Sequence, residues 1–128
     1  MAELCFLDFE TRSLADLPAV GAYAYAQHPS TDALVLTWAF DGEAVHVWSP
    51  SWCWAPGESP LSLWSHVRAG GYVVAWNAFF DRHIWNDVMV PKYGWPHIPL
   101  TQWLCAQAQA EANNLPGKLE KACETLHL

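Results

Sequence analysis

Leu4-Cys5-Phe6-Leu7-Asp8-Phe9-Glu10-Thr11 is the stretch on which the reading of this chain turns. An apolar run of this kind reads as a buried strand, and successive strand side chains alternate faces. Asp8 and Glu10 therefore point the same way, with Cα atoms about 6.5 Å apart. Two anionic groups on one edge of a sheet suit a hard divalent cation such as Mg²⁺. The plainer alternative is a pair of solvated residues at a strand end. A third acid from elsewhere in the chain is needed to decide between them.

Tyr72-Val73-Val74-Ala75-Trp76 offers an address for that acid. It is a second short run of strand formers, and the turn dipeptide Gly70-Gly71 precedes it. Beyond Asn77, apolar residues at Phe80, Ile84 and Val88, and at Ala78, Trp85 and Met89, follow a helical period over 78–90. Asn77 is a suitable N-cap, which puts Asp81 in the early turns of the helix, beside the carboxyl end of the preceding strand. If that strand neighbours the first, Asp81 faces Asp8 and Glu10 across a shallow cleft. Otherwise it is a solvated acid that complements the helix dipole.

Bulk properties narrow the classes. The chain has 128 residues, 52% of them hydrophobic and 15% charged, which suits one domain with one core. No apolar run is long enough to span a bilayer, and no secretory pattern opens the chain, so an intracellular protein with no membrane partner is expected. Cys5, Cys53, Cys105 and Cys123 are scattered without a C-x-x-C, which reads as free thiols. Thirteen acids against six bases give a formal charge of −7, which opposes a broad nucleic-acid footprint but suits a cation site. Of nine tryptophans, Trp38, Trp64, Trp85 and Trp103 fall in periodic segments and read as core. Trp52 and Trp54 lie in an unpatterned loop and read as an exposed contact surface.

The element order expected is a strand over 3–10, a short helix over 17–27 and a strand over 33–40. A turn at Asp41-Gly42 leads to a strand over 44–49. Then come a helix over 61–69, the strand over 72–76 and the helix over 78–90. The tail over 99–113 is rich in Ala and Gln and reads as helix, followed by a last amphipathic helix from Leu115. Three strands and then helix-strand-helix make an α/β fold with a mixed sheet flanked by helices.

At this point the chain resembles a known family. Leu7-Asp8-Phe9-Glu10-Thr11-Arg12-Ser13 is similar to the first motif of DEDD-type 3′–5′ proofreading exonucleases, and Ala75-Trp76-Asn77-Ala78-Phe79-Phe80-Asp81 to their second, Asn-x-x-x-Asp. The surrounding text resembles the exonuclease region of phage-type family A DNA polymerases. It includes Gly21-Ala22-Tyr23-Ala24-Tyr25-Ala26, Ala33 to Phe40, Trp103 to Ala108 and Leu115 to Glu120. The resemblance implies a ribonuclease-H-like fold and a metal-dependent exodeoxyribonuclease acting on single-stranded DNA 3′ ends with two ions, Mg²⁺ or Mn²⁺. It implies that Asp8 bridges both ions, Glu10 helps hold the first and Asp81 supports the second. Thr11, Arg12 and Asn77 would lie beside the terminal nucleotide, and His83 would point away.

One departure limits that expectation. The family's third motif, a Tyr or His followed four residues later by Asp, has no counterpart here, so one ligand is missing. Residues 1–128 are therefore read as a single, incomplete exonuclease domain. It is a fragment of a longer polymerase, a naturally short relative, or a partner of a chain that supplies the rest. The reading leaves open whether the last strand and helix are present. Activity is expected to be weak or Mn²⁺-dependent, with Asp87, Glu111, Glu120 and Glu124 as candidate substitutes. Two alternatives stay open. One is an inactive remnant serving as an interaction or structural module, oligomeric through its tryptophan-rich surface. The other is a related nuclease acting on RNA. In either case a bacterial host cell or a phage genome is the expected setting.

Overall fold

Strict alternation along β1 (Leu4–Arg12) builds the centre of the molecule: Cys5, Leu7 and Phe9 are buried while Phe6, Asp8, Glu10 and Arg12 are exposed. The computed structural model describes residues 3–52 and 57–128. β1 is followed by α1 (Leu17–Gln27), β2 (Asp32–Phe40), β3 (His46–Trp48), α2 (Leu61–Arg68), β4 (Tyr72–Ala75) and α3 (Ala78–Ile84). A π-turn (Trp85–Met89) joins α3 to α4 (Val90–Tyr93); a 3₁₀ turn (Leu100–Gln102), β5 (Trp103–Cys105), α5 (Ala106–Ala112) and α6 (Leu119–Thr125) complete the chain. The sheet order is β3-β2-β1-β4-β5. β2 and β3 run antiparallel to their neighbours, and β1, β4 and β5 run parallel. This mixed five-stranded sheet with helices is an α/β fold, consistent with the ribonuclease-H-like arrangement expected.

The order puts the carboxyl ends of β1 and β4 side by side. Their pairing covers only Leu4–Phe6 against Tyr72–Val74, after which β4 turns into α3 and β1 runs on to Arg12. The edge of β1 facing α3 is thereby left open, and open α/β sheets place their ligands at such strand ends.

One face of the sheet carries the core. Cys5, Leu7 and Phe9 pack with Leu36 and Trp38 of β2, Val73 and Ala75 of β4, Tyr25 of α1, Leu63 and Val67 of α2, and Ile84, Trp85, Val88 and Met89 of the α3 segment. Trp95 is the hub of an aromatic cluster, with ring centroids 4.8 Å from Trp85, 4.9 Å from Trp48 and 5.7 Å from Trp64. Burial of Trp38, Trp85 and Trp103 follows the sequence reading, and Trp64 packs against the same cluster half-buried. The opposite face bears an apolar row in register, Ala39-Phe6-Val74-Leu104, with Phe6 and Leu104 each 42% exposed. Leu119 of α6 and Ala106 lean over part of it.

Several expectations need correction. The tail over 99–113 is not one helix: Trp103-Leu104-Cys105 is a fifth strand, paired to Val73–Ala75. Three residues are too few to show alternation, and the Ala- and Gln-rich segment that follows masks them. The helix from Ala78 does not stop at Val90 but continues to Tyr93 through Pro91. Pro91 has no N–H to give, and the turn before it widens so that the Val90 N–H bonds the Trp85 carbonyl. α1 is broken at Gly21, whose φ of 82° and ψ of 167° are available to glycine and strained for any other residue. The last helix is shorter than expected, beginning at Leu119. Cys53 and Trp54 lie outside the described residues. Cys5, Cys105 and Cys123 are free, and burial, with Glu3 nearby, pushes the Cys5 thiol up to about 12, which makes it inert filler. Among the described residues no helix is long and apolar enough to cross a membrane.

Trp85 is fully buried, edge-on to Phe9 and Trp95, and its indole N–H donates to the Pro96 carbonyl at 2.7 Å. Trp85→Ala is expected to cost about 3–5 kcal/mol. Urea unfolding should show a lower midpoint at unchanged slope, whereas Trp52→Ala, at a position 47% exposed, should cost under about 1 kcal/mol.

Candidate functional site

Asp8 and Glu10 reach solvent from the outward face of β1, as alternation requires. Asp81 comes from the first turn of α3, and only 4% of it is exposed. Its Oδ1 accepts the Phe9 N–H at 3.2 Å, taking the place of a ladder bond where β4 has turned away. The Asp81 carboxylate thus lies in the plane of the sheet at the open edge of β1. It lines a cavity of about 510 Å³ together with Asp8, Asn77, Trp76, Phe79 and Phe80. The helix acid that sequence alone left either solvated or inward is inward.

The electrostatics are those of an uncompensated anionic cluster. Burial pushes the Asp81 carboxyl up to about 7, the Phe9 N–H opposes the rise, and the charges of Asp8 and Glu10 add to it. Asp8 is also raised, first by burial and then by Glu10. Among the described residues the ion pairs are His46–Glu58, His83–Asp87 and Lys121–Glu124, and none involves the three acids. A carboxylate donor set with no thiolate or imidazole matches Mg²⁺ or Mn²⁺ in chemistry. As folded, however, no three His, Cys, Asp or Glu side chains among the described residues are grouped so as to hold an ion. The acids are close enough to feel one another but are not drawn into a common coordination shell.

The other site candidates are dispersed around this centre. Asn77 stands at the N-cap of α3, but its side chain makes no capping bond; its carbonyl accepts the Phe80 and Asp81 N–H groups, and the exposed amide lines the cavity. Thr11 points to the core side, where its hydroxyl meets that of Tyr25 at 2.8 Å, leaving the backbone toward the site. Arg12 shares the face of Asp8 and Glu10 and lays its guanidinium 4.3 Å from the centre of the Trp52 ring. His83 turns aside, packing edge-on to Tyr23 and Phe79, with Nδ1 2.8 Å from Asp87. Of the candidate substitutes, Asp87 is engaged by His83, Glu124 pairs with Lys121 at 3.3 Å, and Glu111 and Glu120 are exposed on α5 and α6. Two features had no signal in sequence: the Phe9 N–H as the partner of Asp81, and Lys92, which the fold brings beside Arg12.

The sign of the Asp81 shift fixes a pH dependence. A carboxyl near 7 in the folded state and near 4 unfolded holds its proton more tightly when folded. Its contribution is therefore fully present below about pH 4 and lost as pH rises to about 7. With divalent ions chelated, stability should fall by about 2–4 kcal/mol from pH 4 to pH 8 through this group. In Asp81→Asn, whose amide oxygen can still accept the Phe9 N–H, urea titrations should show most of that slope removed. An equal slope in both proteins would refute the assignment.

No family model matches the chain. It is similar to the DNA polymerase of Bacillus phage SP02, with 28% identity over 128 residues that take in 95% of this chain and 18% of that protein. The chain thus spans less than a fifth of the length of the relative it matches, and the likeness is that of a polymerase-related domain.

Proposed function

We propose that this chain is a 3′–5′ exonuclease domain of a phage-type DNA polymerase, releasing nucleotides from single-stranded DNA 3′ ends. The observation that supports the reading is that Asp8, Glu10 and Asp81 lie near enough at the carboxyl ends of β1 and β4 for their charges to act on one another, with no cationic side chain among the described residues paired to any of them. Mg²⁺ or Mn²⁺, two ions in a complete site, would be held by these three acids and would supply an activated water and neutralise charge at the leaving 3′ oxygen. The chain's own residues set the rest. The Phe9 N–H fixes the orientation of Asp81, and burial beside Asp8 and Glu10 raises its carboxyl, so a cation bound there would favour the ionised form that can hold it. Asn77 and Arg12 flank the acids on the open side, where a terminal nucleotide would enter. The similarity to a phage DNA polymerase supports DNA as the substrate and a polymerase domain or second chain as the partner.

One observation favours a second reading. No ligand group is already assembled among the described residues, as it need not be in an inactive exonuclease-like module. Calorimetry separates the two. The nuclease reading expects Mg²⁺ or Mn²⁺ to bind to the wild type and not to Asp8→Ala. Ion at 100 times its Kd should also raise stability by about 2.7 kcal/mol in the wild type alone. A labelled single strand should be shortened from its 3′ end weakly, better with Mn²⁺, and not at all by Asp8→Ala. Absence of divalent binding would leave the inactive module, and faster cleavage of RNA ends would reassign the substrate.

A further inference from the structure

Beyond Glu10 the charge of the surface changes sign. A cavity of about 500 Å³ opens at the end of β1, lined by Arg12, Ser13, Ser30, Asp32 and Lys92 among others. It gathers two of the six basic residues of a chain whose net charge is −7. We propose that this cleft receives a backbone phosphate of the single strand whose 3′ end lies at Asp8, Glu10 and Asp81, so that Arg12 and Lys92 set the strand's path.

The cleft is built for an anion. The Arg12 guanidinium is braced on the Trp52 ring, and its donors make no hydrogen bond among the described residues. The Trp52 indole N–H reaches the Tyr93 hydroxyl at 3.4 Å, and that hydroxyl donates to Asp32 Oδ1 at 2.9 Å. The same Oδ1 accepts the Ala33 N–H at 2.8 Å, so one oxygen of the one acid in the lining is held from inside, and its single negative charge stands against the two cations. Lys92 is held by the Thr31 carbonyl at 2.6 Å and the Pro29 carbonyl at 3.4 Å, which leaves one of its three ammonium donors for a ligand. Ser13 and Ser30 spend their hydroxyl protons within the loop, on Thr31 Oγ1 at 2.6 Å and His28 Nδ1 at 2.8 Å, so the two cations supply the donors.

Position argues for a strand rather than a free ion. Arg12 stands on the face of β1 that carries Asp8 and Glu10, about 13 Å from Asp8 between Cα atoms. A ligand reaching from the acids to the cleft is a chain of linked phosphates. The half-exposed Trp52 ring beside it offers a surface for a base. Because the rest of the chain repels a polyanion, loss of these two cations should be felt strongly. The inference rests on the nuclease reading, but its test does not need metal.

Binding of a fluorescein-labelled oligothymidylate of ten nucleotides, followed by anisotropy in EDTA, tests it. Arg12→Gln with Lys92→Gln should weaken binding roughly tenfold at low salt and lower the salt slope by about 1.4, two phosphate contacts at about 0.7 each. Lys92→Arg should bind like the wild type, and millimolar inorganic phosphate should compete. Asp8→Asn should bind as well or more tightly in EDTA, so failure of metal binding leaves this result intact. Should Lys92→Gln melt the Thr31 loop, Arg12→Gln alone carries the test with half the slope change. Wild-type affinity and slope in the double variant would overturn the proposal. So would binding of inorganic phosphate by a protein that does not bind the oligonucleotide, which would make the cleft a site for the free ion.

Discussion

A single hydrogen bond, from the Phe9 N–H to the buried Asp81 carboxylate, joins the two halves of this molecule where function is proposed. β1 outruns β4, so an N–H at the sheet edge lacks a strand partner, and an orphaned buried donor is costly. The helix that begins where β4 ends supplies an acceptor. The same bond places an acid out of solvent beside two others, a combination that without a counter-ion works against folding. A fold keeps such an arrangement readily when something positive arrives to share it, which is the physical content of the nuclease reading.

That acidic edge is set in a packed aromatic surround. Phe9, neighbour of the acids in sequence, is packed edge-on to Trp85, and Trp85 leans on Trp95, which in turn touches Trp48 and Trp64. The aromatic cluster therefore fixes the plane and height of β1 at the residues flanking Asp8 and Glu10. Large rings with few rotatable bonds give that stiffness at small entropic cost. The π-turn over Trp85–Met89 belongs to the same arrangement, since it keeps Trp85, Val88 and Met89 on the buried side while the helix passes Pro91.

Charge is distributed with a gradient along the outward edge of β1. Asp8 and Glu10 are followed by Arg12, and Lys92 joins Arg12 from α4. A chain of net charge −7 cannot hold a nucleic acid by its overall field. On the proposed reading attraction is local to Arg12 and Lys92, and cations at the acids would add to it by removing repulsion.

By itself the sequence determined the fold class, the central strands and the two segments that carry the acids. β1, β2 and β4 announce themselves by alternating or continuous apolar runs between turn residues, because burial of one or both faces imposes that period on the side chains. Alternation also put Asp8 and Glu10 on one face, and the N-cap position of Asn77 put Asp81 in the early turns of α3. Only the tertiary structure could decide the rest. β5 is three residues long and gains its identity from pairing with β4, not from its own pattern. Asn77 reads as a capping side chain, yet it is the Asn77 carbonyl that takes the Phe80 and Asp81 N–H groups, and its side chain makes no capping bond. Whether Asp81 met solvent or Asp8 hung on the order of strands, and Lys92 reached Arg12 only because α4 folds back on the Thr31 loop. Periodicity records which side of an element is buried; which elements meet is set by long-range pairing that leaves no mark on local sequence.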